Sequence, residues 1–334
     1  MEIESINIGL LGLGTVGTEV AYQLIHNKNI INDEKSNIKI NLSKILVNDI
    51  NKKRPDFIPT DILTNDPEDI LNDDNINLIV ELIGGDQIAL KMINNAIDKN
   101  INVVTANKLI MSKYGYELLS RARNNSVFLL YEASVGAGIP IIGPLYESLI
   151  ANSISKINAI INGTTNYILS SMSSGTQTFE NALKQAQELG YAEADPTFDV
   201  EGIDAAHKLT ILSSIAFGVP LRFDAIYTEG ISGITAEDIG YARELGYTIR
   251  HLGITRNLKD SVELRVHPCL IANDHMLAQV NGVMNAVMVG SDAAGATMYY
   301  GAGAGSGPTA SAVMGDVMDI VRTDGVHSVA NLGF

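Results

Sequence analysis

The chain is short of cysteine, short of positive charge and free of long apolar runs. Its one cysteine in 334 residues, Cys269, excludes an intrachain disulfide and fits a reducing, cytoplasmic setting. Cys269 falls in the strand-like stretch Val266-His-Pro-Cys-Leu-Ile271, where a buried, inert thiol is expected. Lys and Arg total 23 against 38 Asp and Glu, and the net charge of -15 opposes binding to nucleic acid or to an anionic membrane surface. No run of about twenty apolar residues is present to span a bilayer. Met1-Glu-Ile-Glu lacks the basic start of a secretory leader, and the first apolar run is broken by glycines and reads as a strand. Internal repeats and low-complexity linkers are also missing. What is left is an ordinary globular composition, 46% hydrophobic and 18% charged, at a length that suits two domains with sizeable cores.

The N-terminal part alternates strands and helices. Ile6-Asn-Ile-Gly-Leu-Leu11 reads as a buried strand that opens into Gly12-Leu13-Gly14-Thr15-Val16-Gly17 and then into a helical pattern through Val20, Ala21 and Leu24. That context gives the G-x-G-x-x-G spacing its force. Gly12 makes the tight turn, Gly14 lets the backbone approach a pyrophosphate, and Gly17 lets helix and strand pack closely. Phosphates would meet the free N–H groups at the helix N-terminus. After a polar insertion from His26 to Asn37, the second strand comes at Leu42 to Val47 and ends in Asn48-Asp49, with Lys52-Lys53-Arg54 following. An acid there favours the free ribose hydroxyl of NAD and a base favours the 2′-phosphate of NADP; both are present, so the choice stays open.

Further strands are expected at Leu78–Ile83, ending in Gly84-Gly85, at Val103–Thr105, ending in Ala106-Asn107-Lys108, and at Val127–Tyr131. Helices are expected at 88–97, 114–123 and 141–150. The alternation implies a Rossmann-type doubly wound parallel sheet, with ligands at the carboxyl ends of its strands. Gly84, Thr105 and Lys108 lie at such ends; for Lys108 the alternative is an exposed helix start. Glu132-Ala-Ser-Val135-Gly-Ala137-Gly-Ile139-Pro140 reads as a loop with free carbonyls beside one carboxylate, a donor set that suits a small hard cation.

From Ile154 the character becomes α+β. A strand over 154–161 runs into Asn162-Gly163-Thr164-Thr165-Asn166, either a polar functional cluster or simple helix capping. The stretch Gly190-Tyr-Ala-Glu193-Ala-Asp-Pro-Thr-Phe-Asp199 leads into a helix on which Asp204 and Lys208 share a face with Ile211 and Ile215. A solvated surface pair is the alternative, but the face continues an apolar stripe. Buried charges are costly unless paired, and lysine responds readily to desolvation, so Lys208 is a candidate proton-transfer group. A helix at 235–244, strands near 247–255, 262–271 and 283–290, a glycine loop Gly301–Pro308 and a last helix Thr309–Val321 complete the chain. The apolar last helix is expected to return to the first domain, giving a dinucleotide-binding domain of residues 1–138 plus 305–334 around a substrate-binding, catalytic and dimerisation domain of 139–304. The small-residue and apolar run Val280–Tyr300, with Asp292 its one charged residue, is expected to build a homodimer interface.

Taken together, these motifs resemble the homoserine dehydrogenases over nearly the full length. The resemblance rests on Gly12–Gly17, Thr105-Ala-Asn-Lys108, Tyr131-Glu-Ala-Ser-Val-Gly-Ala-Gly138 and Ile161-Asn-Gly-Thr-Thr-Asn166. It extends through Gly190-Tyr-Ala-Glu-Ala-Asp-Pro196, Asp204-Ala-Ala-His-Lys208 and Gly301-Ala-Gly-Ala-Gly305. It implies NAD(P)-dependent interconversion of L-homoserine and L-aspartate 4-semialdehyde in threonine and methionine biosynthesis, by a homodimer. It also implies that Lys208 donates the proton, that Glu193 and Asp204 bind homoserine with Asp199, Gly163 and Thr164 around them, and that Lys108 stands at the nicotinamide–substrate junction. Gly12–Gly17, Asn48, Gly84, Thr105, Lys108 and Gly305 would contact the cofactor. A sodium ion would be held by Glu132 and the carbonyls of Val135, Ala137 and Ile139. The chain stops at Phe334, short of the C-terminal ACT domain of longer relatives. A thiol-based semialdehyde dehydrogenase is disfavoured, because no glycine turn or helix N-terminus stands beside Cys269 to activate it. A non-catalytic dinucleotide sensor would have no need of Lys208.

Overall fold

Ile6, Ile8, Leu10 and Leu11 are all buried, as a continuous apolar strand in a parallel sheet requires. The computed structural model describes residues 5–26, 32, 33, 38–173 and 177–322. Two compact units are present, one formed by the chain up to Gly138 and again from Gly305, the other by Ile139–Ala304. In the first unit β1 (Ser5–Leu11) lies between β2 (Ile38–Leu46) and β3 (Leu78–Glu81), followed outward by β4 (Asn102–Thr105) and β5 (Leu129–Leu130). All these pairings are parallel. Two-residue pieces at Asn32–Asp33 and Leu63–Thr64 fringe β2. The strand order β2-β1-β3-β4-β5 reverses direction at β1, so β1 and β3 bound the crevice in which doubly wound sheets bind ligands. The crossover helices are α1 (Thr15–His26), α2 (Gln87–Asp98) and α3 (Lys108–Asn124).

The second unit is built on an antiparallel sheet. β6 (Ile154–Ile160) sits in its middle and leads into α4 (Gly163–Met172); α5 (Phe179–Glu188), α6 (Ile203–Phe217) and α7 (Ala236–Glu244) follow. β7 (Tyr247–Asn257), β8 (Val262–Ala272), β9 (Met284–Ser291) and β10 (Ala296–Ala302) complete the order β10-β9-β6-β7-β8, with Tyr227–Thr228 added outside β8. α6 is buried on every side from Asp204 to Ser214 and packs on β7 and β8. A helix apolar all round belongs in a core, which makes its two charged residues conspicuous. The last helix, α8 (Ser306–Arg322), belongs to the first unit: Ala310, Val313, Val317 and Val321 share a core with Val20, Ala21 and Leu24 of α1.

Several boundaries differ from those read in the sequence. α3 begins at Lys108, because Asn107 caps it by accepting a hydrogen bond from Ile110 N. The stretch 141–150 is a short helical segment with a π turn at Pro144–Ser148, since Pro144 supplies no N–H to an α ladder. β5 is only Leu129–Leu130, and β2 starts at Ile38. Gly301 and Ala302 close strand β10, which periodicity missed, and α8 starts at Ser306 because Pro308 is tolerated in a first turn. Most of the insertion at 27–37 lies outside the described residues.

Candidate active site

At the end of β1 the backbone turns at Gly12 with φ 100°, and a Cβ there would stand 2.8 Å from Leu82 O. A Cβ on Gly17 would stand 2.2 Å from Gly12 O, so α1 can cross the strand this closely only without a side chain. Gly14, by contrast, has open space where a Cβ would go, and it is exposed with Thr15 at the start of α1. Leu13 and Val16 are half-buried on either side. A cleft of about 1010 Å³ opens beside this turn, lined by Gly12, Leu13, Gly14, Val47, Asn48, Asp49, Lys52 and Arg54 among others. Arg54 donates to the carbonyls of Asp49, Ile50 and Lys52, which fixes the basic turn against the strand end.

Across the same sheet, the ends of β3 and β4 are tied by a buried carboxylate. Glu81 accepts from Ile83 N at 2.8 Å, Gly84 N at 3.4 Å and Thr105 Oγ1 at 2.6 Å. Thr105 Oγ1 accepts in turn from Asn107 N, and Asn107 Nδ2 donates to Gly85 O. Gly84 and Gly85 both have left-handed φ, 77° and 72°, and Glu81 and Asn107 hold that turn from two sides. Burial raises the Glu81 pKa, against the pull of its hydrogen bonds. Lys108 is half-buried at the first position of α3, and Gly305, with φ 116°, precedes α8.

The second unit gathers the other candidates. Lys208 Nζ donates to Asp204 Oδ2 at 2.7 Å and to Ile161 O at 2.8 Å. Their side chains are only 11% and 3% exposed, so this is the inward pair and the surface alternative is excluded. Asn162 Nδ2 donates to Asp204 Oδ2 at 2.9 Å and to Asp199 Oδ1 at 2.7 Å. Its Oδ1 meanwhile accepts from Thr165 N, so Asn162 both caps α4 and joins the two acids. Thr164 Oγ1 donates to Tyr191 O at 2.7 Å and lies 3.1 Å from Asp199 Oδ2. Gly163 packs against β9, where a Cβ would stand 3.0 Å from Val283 O. Glu193 is exposed, and no hydrogen bond among the described residues joins its carboxylate to this cluster.

Glu132 starts the loop read as a cation site and is half-buried. Gly136 and Ala137 turn the backbone with φ 77° and 45°, the latter uncommon for alanine. Ile139 is the first residue of the second unit. Asp316 of α8, nearly fully buried, accepts from Glu132 N at 2.9 Å. Burial first, and then the negative charge of Glu132 and Asp319, push its pKa well up. A buried carboxylate acted on by the charge of half-buried Glu132, with Ser134 Oγ lacking a partner, suits a cation. No group of three or more acid, His or Cys side chains forms a metal cluster among the described residues, so a cation here would rely on carbonyls. Cys269 is half-buried, not buried as expected, because it sits on the partly open strand β8. Burial nevertheless pushes its thiol up to about 11, the reverse of an activated nucleophile.

Sequence reasoning missed Glu81, Asp316 and Asn285, and it found Asn162 in the polar cluster without its bridge between Asp199 and Asp204. An acid inside the apolar strand Leu-Ile-Val-Glu was a visible signal, as was Asp316 on an otherwise apolar helix face. Asn285 gave none. Its amide is buried without partners, and a Cβ on Gly303 would stand 2.1 Å from its Cγ. Gly303, read as part of a glycine loop, is thus a glycine because the chain leaving β10 lies flat on that amide.

A glycine turn at the switch of a parallel sheet, in one chain with a buried lysine–carboxylate pair, defines an NAD(P)-dependent dehydrogenase. Residues 12–132 match the model of the homoserine dehydrogenase NAD-binding domain, and residues 140–318 match that of homoserine dehydrogenase itself. The chain belongs to the homoserine dehydrogenase family. It is 49% identical to the homoserine dehydrogenase of Pseudomonas aeruginosa, over 99% of this chain and 76% of that one. Against that of Neisseria gonorrhoeae it is 47% identical, over 99% and 77%. The crystal structure of a homoserine dehydrogenase from Thiobacillus denitrificans superposes with a TM-score of 0.92 at 48% identity, over 98% of this chain and 75% of that one. A hyperthermophilic archaeal homoserine dehydrogenase in complex with NADPH superposes with a TM-score of 0.78 at 27% identity, over 96% and 98%. The chain therefore spans about three quarters of the length of its curated relatives.

Proposed function

We propose that the chain interconverts L-aspartate 4-semialdehyde and L-homoserine, with Lys208 as the group that gives a proton to the aldehyde oxygen. The observation that carries this assignment is the bonding of Nζ. Two of its three N–H groups are spent on Asp204 Oδ2 and Ile161 O, which aims the ammonium and leaves one N–H for a substrate oxygen. Asp204 holds the lysine and Asn162 holds Asp204, so the donor is fixed before substrate arrives. The nicotinamide supplies the hydride. Asp199, tied to Asp204 through Asn162, and its neighbour Thr164 offer acceptors to the substrate's ammonium and hydroxyl, and Glu193 adds a further carboxylate from its exposed turn. Lys108 is a second cation for the substrate or cofactor.

Division of labour follows the two units, residues 1–138 with 305–334 binding the dinucleotide and 139–304 the substrate. Lys52 and Arg54 in the cleft, with uncharged Asn48 at the strand end, favour NADP over NAD, against the opposing pull of Asp49 in the same lining. A sodium ion at Glu132, Val135, Ala137 and Ile139 would balance the crowded carboxylates. The edge strand β10 of the second sheet has an open side and carries no charged residue, which supports a homodimer joined there. The reaction serves threonine and methionine biosynthesis in the cytoplasm, and no helix among the described residues is long and apolar enough to cross a membrane.

Steady-state absorbance of NAD(P)H with L-homoserine tests the assignment. Turnover with both cofactors, a lower KM for NADP and stimulation by sodium are expected. An absence of turnover with L-homoserine and either cofactor would remove the reaction from consideration. A monomer mass by light scattering at micromolar concentration would remove the dimer.

A further inference from the structure

Among the acids ahead of α6, Asp199 and Glu193 are held in different ways. Asn162 Nδ2 donates to Asp199 Oδ1 at 2.7 Å, and Thr164 Oγ1 lies 3.1 Å from its Oδ2. Asp199 is thus fixed by its own carboxylate. Glu193 is exposed, and its carboxylate makes no hydrogen bond or ion pair among the described residues. Where that charge points is set by the backbone alone.

The backbone path begins and ends at one side chain. Thr164 Oγ1 donates to Tyr191 O at 2.7 Å and also touches Asp199, which Asn162 links onward to Asp204. Two residues extend at most about 7 Å, so Glu193 stays close to the Tyr191 anchor. Ala192 is buried in one core with Ala182 and Ala186 of α5, and Glu193 after it turns outward. Bonds between main-chain groups then stop. The last are from Tyr191 N and Ala192 N to Ala186 O, and the next runs from Asp199 N to Pro196 O. In the gap a side chain takes over. Gln187, in the last turn of α5, donates from Nε2 to Glu193 O at 3.0 Å and to Ala194 O at 3.4 Å. Both N–H groups of its amide are spent on adjacent carbonyls.

We propose that Gln187 is a positioning residue of the substrate site: by holding the carbonyls of Glu193 and Ala194 it aims the Glu193 carboxylate at the substrate's ammonium group. The assignment rests on the reading of Glu193 as a binder of homoserine. Each peptide unit is a rigid plane, so fixing two successive carbonyls fixes the planes that follow Glu193 and Ala194, and with them the direction of the Glu193 side chain. A loop ordered in this way before substrate arrives loses little further freedom on binding. The ammonium stands away from the reacting carbon and is held alike in the ground and transition states. Loss of its partner therefore raises KM and leaves kcat little changed.

Steady-state turnover of the full chain with L-homoserine at saturating NADP, read as kcat and KM separately, tests the proposal. Gln187→Met keeps the length and helix propensity of the side chain and removes its donors. It should raise KM by roughly 3- to 10-fold, the worth of a neutral hydrogen bond, with kcat little changed. Glu193→Ala should raise KM by roughly 10-fold or more, as for a lost hydrogen bond to a charged group. On the Glu193→Ala background, Gln187→Met should add nothing, because the carboxylate it aims is gone. An unchanged KM in Gln187→Met while Glu193→Ala raises it, or the same rise on both backgrounds, overturns the proposal and leaves Glu193 as the ammonium site. An unchanged KM in Glu193→Ala removes that reading of Glu193 and the proposal with it. Gln187→Glu has the same shape but turns an acceptor toward the two carbonyls; it should raise KM likewise, and it replaces Gln187→Met in the same comparison should that variant not fold.

Discussion

Asp204 and Glu81 are both buried carboxylates, one in each unit, and they are satisfied in opposite ways. Asp204 meets an ammonium at 2.7 Å and a side-chain amide at 2.9 Å. Glu81 meets no cation: its donors are two backbone N–H groups and a threonine hydroxyl, and burial raises its pKa. A paired acid can steady a charge that must act on substrate. An acid held by neutral donors instead fixes the backbone, here the Gly84-Gly85 turn and the start of α3 at Asn107. The second unit thus keeps its chemistry in side chains, and the first keeps its binding surface in main-chain geometry.

The largest effect that would break this comparison is loss of the ammonium. Lys208→Ala should lower kcat by roughly two to four orders of magnitude, the range for a positioned proton donor, with NADPH affinity nearly unchanged. If the variant keeps more than about a tenth of wild-type turnover, Lys208 is not the donor and Lys108 becomes the next candidate. Asp204→Asn should raise KM for homoserine as well as lower kcat if that acid, which holds the lysine, also contacts the substrate as proposed.

A smaller effect is expected from a methyl group placed in the main-chain surface. Ala at position 17 would put Cβ 2.2 Å from Gly12 O, and neither backbone atom can yield without moving the turn. Gly17→Ala should cost about 1–3 kcal/mol, as overpacking does elsewhere, and raise Kd for NADPH with kcat at saturation little changed. A variant with wild-type NADPH affinity would mean that the phosphates do not sit on this turn. Glu81→Ala should act on the same parameter, since it frees the N–H groups of Ile83 and Gly84 and the Thr105 hydroxyl together; unmatched buried donors cost about 1–3 kcal/mol each.

Legibility in the sequence followed the same division. The Gly12–Gly17 turn was readable because its spacing and its strand-to-helix context are both local. Asp204 and Lys208 were readable because a four-residue spacing on an apolar stripe fixes a shared inward face. The Asn162 bridge to Asp199 and Asp204 spans 37 and 42 residues, and the Glu132–Asp316 bond spans 184, so no pattern within one element announces them. The end of β10 was missed because Gly301 and the glycines after it read as a loop, whereas Gly303 is there to admit Asn285.

The smallest effect sharpens the comparison most directly, because it isolates charge from shape. Glu81→Gln keeps one acceptor oxygen and puts an amide with two N–H donors where the other stood, so it approximates an uncharged Glu81 in place. Burial holds the folded-state pKa above the ordinary 4.5, so the native protein binds a proton there that the unfolded chain has already released. The wild-type contribution is therefore fully present below about 4.5 and is lost as pH rises through the folded-state value. Glu81→Gln carries no such titration. Its Tm measured against wild type should gain steadily as pH is raised from the acid side, and all other titrating groups cancel in the difference. A Tm difference that stays flat with pH would mean that Glu81 is ionised in the folded protein like any exposed acid, and the contrast with Asp204 would then rest on geometry alone.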